Sequence, residues 1–184
     1  MLTTIVPPDF AVECDLKYAT ADNFTGRMVY RSAHCCLHAN AARALQRAIA
    51  LTAPLGLGFI IYDAFRPSEA QWELWQQAPD PTFLADPAIG SSHSRGVAVD
   101  LTLMDIATRQ PLDMGTPFDT FTPLSAHGRT DVSAEAQRNR LLLLGLMTAA
   151  GWDFYPDEWW HYQLPNARTD YPLLSDADMR TGMM

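Results

Sequence analysis

The sequence predicts an α+β domain, and three observations predict it. Residues 97–103 (VAVDLTL) alternate apolar and polar side chains with the period of a strand. Residues 40–53 and 133–151 carry helical patterns, and strand-like segments stand between and after them. No internal repeat or low-complexity stretch interrupts this mixture, and 184 residues are the length of one domain, here expected over residues 1–184.

Each element can be justified in order. After a proline-bearing lead-in, Ala41, Leu45, Ala48, Ile49 and Thr52 recur at spacings of three and four, so residues 40–53 form an amphipathic helix that Pro54 and Gly56 end. Residues 58–65 (GFIIYDAF) are rich in β-branched and aromatic side chains and too short for a helix; they read as a buried strand with Arg66 at its carboxyl end. Ser68 is placed to cap a helix carrying Trp72 and Trp75, which Pro79 and Pro81 close. In the strand at 97–103, Val97, Val99, Leu101 and Leu103 share one face and Asp100 lies on the other. Polar sequence from 105 to 130 reads as a hairpin and then a long loop. Ser133 caps the helix that Gly151 stops, and residues 152–155 and 159–164 form a closing strand pair around Pro156 and Asp157.

Composition narrows the function. An apolar fraction of 48% with 18% charged residues marks a folded globular chain. The net charge of −8 repels nucleic-acid backbones and anionic lipid surfaces, so neither is an expected partner. No run of 18 apolar residues exists, and the amino terminus has prolines where a secretion signal needs an apolar stretch. Cys14, Cys35 and Cys36 are odd in number and clustered at one end, which fits reduced thiols and a cytoplasmic location.

A catalytic zinc site takes three protein ligands and leaves one position open. His93, Asp100 and His161 are the candidate set: Gly96 lets the chain turn between the first two, and the closing strand supplies the third. Two neutral imidazoles and one carboxylate leave an ion with net charge near +1, a balance suited to hydrolysis. Glu158 stands three residues before His161, so a bend at the strand entrance is needed to bring it alongside; its expected role is general acid–base catalysis. Arg66 is the candidate cation for an oxyanion. Two rivals are weaker. The donors of residues 34–38 (HCCLH) are too crowded to wrap a tetrahedral ion, and a serine hydrolase lacks its G-x-S-x-G elbow; H-E-x-x-H is absent as well.

Read together, SSHSRGVAVDLTL at 91–103 and EWWHY at 158–162 closely resemble the D-alanyl-D-alanine dipeptidases of the vancomycin-resistance type. The resemblance extends to DLKYATADNFTG at 15–26, YDAFRP at 62–67, MGTPFD at 114–119 and AQRNRLLL at 136–143, and so covers about residues 10–175. It implies the fold shared with hedgehog domains, a central antiparallel sheet bearing the zinc with helices around it. It also implies one Zn²⁺ per chain held by His93, Asp100 and His161, with Glu158 as acid–base and Arg66 as transition-state stabiliser. Tyr18, Ser91 and Asp119 would receive the ammonium group of a small dipeptide, D-Ala-D-Ala. Phe65 stands where the family commonly has tyrosine, and SAHGR at 125–129 departs from the family's form of that loop. Two other activities stay open: trimming of longer peptidoglycan stems by a carboxypeptidase or endopeptidase, and zinc-dependent recognition without catalysis.

Overall fold

The computed structural model describes residues 1–184. The lead-in holds two short strands, β1 (Leu2–Thr4) and β2 (Val12–Cys14). A third, β3 (Cys36–His38), pairs antiparallel with β1 and runs directly into helix α1 (Ala39–Thr52). The His38 side chain caps that helix, its Nδ1 accepting from Asn40 N at 3.2 Å. All three strands are absent from the sequence-based expectation, because three residues are too few for a period to show.

Strand β4 (Leu57–Asp63) follows, then α2 (Ser68–Gln77). Ser68 does not cap α2 as expected. Its hydroxyl instead donates to Leu174 O at 2.8 Å, and Pro67 occupies the cap position. The chain continues through β5 (Ala98–Asp105), its hairpin partner β6 (Gln110–Pro111), and the long loop before α3 (Ala134–Ala149). Ser133 caps α3 as expected, accepting from Ala136 N at 3.0 Å, and Gly151 leaves the helix with φ of 92°. The closing pair is β7 (Asp153–Phe154) and β8 (His161–Gln163), followed by one short turn of helix, α4 (Ala167–Asp170).

The main sheet has the order β2-β4-β5-β8-β7, with β6 on the far end of β5. Its pairs are antiparallel except for β2 against β4 at the edge, which is parallel. Val97, Val99, Leu101 and Leu103 pack with Leu45, Ala48, Leu143 and Met147 of α1 and α3 in the larger hydrophobic cluster, so these helices cover one face of the sheet. The opposite face of β5 carries Asp100, as the alternation requires. A smaller cluster joins Tyr18, Tyr30, Phe65 and Leu74 to Met183 near the carboxyl end. Met183 is fully buried, and its carbonyl accepts from Arg31 N at 2.7 Å. No helix is long and apolar enough to cross a membrane.

A register shift between β4 and β5 positions the next residues. Ile61 pairs with Leu101, yet Asp63 pairs with Asp100, leaving Tyr62 as an extra residue. Without this bulge Asp63 would oppose Val99 and enter the apolar face; with it, Asp63 shares the polar face with Asp100.

Candidate active site

His93 lies in a short 3-10 turn, His93–Arg95, that Gly96 ends with φ of 67°. A side chain at Gly96 would lie 2.7 Å from the Leu2 side chain and 3.2 Å from His38 N, so both space and backbone favour glycine. Asp100 comes from the middle of the sheet, and His161 from the residue paired with it on β8. The donor atoms of these three side chains meet, all lying within 4.8 Å of one another. The crowded donors at 34–38 form no such group: Cys35 and Cys36 are buried and His38 is engaged as a cap.

Their hydrogen bonding decides what the three can hold. His93 Nδ1 lies 2.7 Å from Ala64 O, so it carries the proton and Nε2 is left with a lone pair. His161 Nε2 faces Gln163 Oε1 at 3.3 Å, which by the same reasoning leaves Nδ1 bare. The two bare nitrogens are 3.1 Å apart, and Asp100 Oδ1 is 3.3 Å from the first and 3.0 Å from the second. Three acceptors at these separations repel unless a cation lies among them. Donor atoms on one face of a tetrahedral ion with bonds of 2.0–2.1 Å stand roughly 3.3 Å apart. The residues therefore fit a small divalent metal, and the partner on each histidine's far nitrogen is the support that metal-binding imidazoles need.

Glu158 is reached by the expected bend. The chain turns at Pro156–Asp157, His161 N donates to Glu158 O at 3.4 Å, and Glu158 Oε2 comes within 4.0 Å of His161 Nδ1. Its side chain is buried, and burial, then the charges of Asp100 and Asp119, push its carboxyl well above the ordinary value against the pull of Arg66. Arg66 is buried too. Its Nε donates to Asp63 Oδ2 at 2.9 Å, Nη1 donates to Gln71 Oε1 at 2.9 Å, and Nη2 stands 3.7 Å from Asp100 Oδ2. Burial opposes its charge, and Asp63, with Tyr18, Tyr30 and Asp100, overrides that effect and holds the guanidinium well above its usual range.

Tyr18 connects this centre to the loop beyond β6. Its ring lies 5.0 Å from the Arg66 guanidinium, and its hydroxyl donates to Asp119 Oδ2 at 2.8 Å. Asp119 adopts φ of 57°, a conformation aspartate tolerates better than most residues. Burial and the charge of Asp100 raise its carboxyl to about 8, although Tyr18 works in the other direction. The Ser91 hydroxyl accepts from His93 N at 3.1 Å and lines the same cleft. That cleft has a volume of about 380 Å³, at the small end for ligand sites. It brings together all eight residues singled out from the sequence: Tyr18, Arg66, Ser91, His93, Asp100, Asp119, Glu158 and His161.

Sequence reasoning missed Asp63, Tyr30, Gln71 and Gln163. Asp63 is fully buried and binds both Tyr30 Oη, at 2.9 Å, and Arg66. An acid inside an otherwise apolar strand was the available signal, since buried charges need partners. Gln71 and Gln163 have no signal of their own, because their importance comes only from what the fold places beside them.

A buried His–Asp–His cluster with a carboxyl and a guanidinium beside it, on an α+β fold, defines a metallopeptidase. A family model described as D-Ala-D-Ala dipeptidase, peptidase M15, matches residues 3–177, and the chain belongs to that family. It is 47% identical over 172 residues to the D-alanyl-D-alanine dipeptidase of Escherichia coli strain K12, covering 94% of this chain and 87% of the relative. The enzymes of the same name from Enterococcus faecium and Streptomyces coelicolor are 35% and 34% identical, each over 88% of this chain and 93% of theirs.

Proposed function

We propose that this chain hydrolyses D-Ala-D-Ala to two molecules of D-alanine, with one zinc ion per chain held by His93 Nε2, Asp100 Oδ1 and His161 Nδ1. The observation that carries the reading is the group of three mutually facing acceptors, 3.0–3.3 Å apart, with Glu158 beside it. A bound zinc supplies a water of lowered pKa and positive charge for a polarised carbonyl. With a cation at the neighbouring cluster favouring its ionised form, Glu158 would take a proton from the attacking water as the C–O bond forms, and return it to the leaving nitrogen as the C–N bond breaks. Arg66, locked by Asp63 and Gln71, donates to the carbonyl oxygen as that oxygen gains charge. Asp119, together with Tyr18 and Ser91, receives the substrate ammonium; the arriving positive charge favours the ionised carboxylate, which binds it by a charge-assisted hydrogen bond. This end of the cleft suits a free amine close to the scissile bond, and so a dipeptide rather than a long stem.

The working unit in this reading is one domain over residues 1–184, and three free cysteines favour a cytoplasmic setting. The test is alanine release from D-Ala-D-Ala, N-acetyl-D-Ala-D-Ala and a pentapeptide stem, by zinc-loaded and chelator-treated protein. The free dipeptide is expected to be cleaved far faster than the other two, and only by the zinc-loaded form. Glu158→Ala is expected to keep its zinc and lose roughly 10²- to 10⁴-fold in rate. Full activity after chelation, or equal rates on the stem, would sink the proposal.

A further inference from the structure

A dipeptide carries charge at both ends, and the residues above account for only one of them. The scissile carbonyl faces Arg66 in the proposed reaction, and Arg66 is already bound to Asp63 and Gln71. The free carboxylate needs another partner.

The cleft has one more cation on its wall, Arg168. Ion pairs hold Arg66, the cleft's other arginine, to Asp63 and Asp100. Arg168 has none. The Arg168 charge adds to burial in holding the Arg95 guanidinium below its usual range, so a second cation stands nearby. Arg95 itself is bound only to the carbonyls of Tyr171 and Ile89. Arg168 is thus a cation without an acid of its own in a cleft whose other lining charges include Asp100, Asp119 and Glu158.

Arg168 and Asp119 reach the cleft from separate segments of the chain. Asp119 reaches the His–Asp–His cluster through Tyr18 and Arg66. On the other side, His161 leads to Gln163 along β8, and the chain then turns at Asn166, with φ of 55°, into α4, which carries Arg168. Two residues of extended chain span at most about 7 Å, so both counter-charges for a dipeptide must belong to one small cleft, as they do here.

We propose that Arg168 receives the free carboxylate of the substrate and so selects peptides that end immediately after the scissile bond's second residue. The inference rests on the dipeptidase reading and deepens it. Its side chain is exposed, so substitution does not threaten the core.

The test compares D-Ala-D-Ala with D-Ala-D-alaninamide, whose terminus is neutral, as substrates of the zinc-loaded wild type, Arg168→Gln and Arg168→Lys. Loss of one charge-assisted contact is expected to raise KM for the free acid about tenfold with kcat within about twofold. The amide is expected to be indifferent to the substitution, and lysine to restore part of the loss. Equilibrium binding of D-Ala-D-Ala to Glu158→Gln protein, with and without Arg168→Gln, is expected to weaken by the same factor. If Arg168→Gln alters acid and amide equally, or neither, the assignment is overturned. If the wild type cleaves neither, the dipeptidase reading itself has failed.

Discussion

His127 sits half-buried between the rings of Phe154 and Tyr162. Burial, reinforced by the charge of Arg140, lowers its pKa to about 4. Between that value and the ordinary one near 6.5, the unfolded chain binds a proton that the folded chain refuses, so stability falls as pH drops through this window. His127→Phe is expected to flatten the fall, which thermal melts from pH 7 to pH 4 measure directly. A second expectation concerns Arg66. Lysine offers charge but cannot reach Asp63 and Gln71 with a planar fork while facing a carbonyl. Arg66→Lys is therefore expected to lower kcat by about 10²-fold with a smaller change in KM, read from steady-state kinetics. Among single residues, the meeting of His93, Asp100 and His161 was legible because strand alternation and two separate motifs pointed their side chains to one place. Asp63 was not, because a bulge one residue earlier decides which face it occupies, and no local pattern announces the bulge.

Helix α3 does more than cover the sheet. Its Arg140 is buried, and the guanidinium donates to the carbonyls of Met114, Leu124 and Ala126, so one side chain ties both ends of the loop that carries Asp119. Trp159 Nε1 adds a bond to Thr116 Oγ1 in the same loop at 2.9 Å. Arg140→Met leaves three carbonyls without their donor and is expected to cost about 1–3 kcal/mol of stability. It is also expected to raise KM for D-Ala-D-Ala more than it lowers kcat, because the loop of the proposed ammonium site loosens while the His–Asp–His cluster keeps its place. Denaturant melts and kinetics separate the two effects. At this scale, the long helices and the strands at 58–65 and 97–103 were legible from period and length. The short strands β1 to β3 were not, since their pairing depends on partners distant in the chain. Ser68 misled for a similar reason: a distant carbonyl, that of Leu174, claims the hydroxyl that looked like a cap.

For the whole molecule, the His–Asp–His cluster links folding to metal. Without a cation, three acceptors face one another at 3.0–3.3 Å, so an ion that binds the folded chain relieves a repulsion the unfolded chain lacks. At a hundredfold excess over Kd the gain is about 2.7 kcal/mol. Zinc is therefore expected to raise the melting temperature, and Asp100→Asn to abolish most of that rise; a melting point indifferent to zinc would contradict the site. The α+β class was readable from the mixture of periods. The parallel edge formed by β2 was not, because strand direction at an edge depends on the path of the connecting chain rather than on the strand's own residues.

Met183 is buried in one cluster with Tyr18 and Tyr30, and its carbonyl accepts from Arg31 N, so this segment packs with the tyrosine that reaches Asp119. Loosened packing there would thus be felt first through Tyr18 and Asp119, in the proposed grip on the substrate ammonium, before it reached the His–Asp–His cluster.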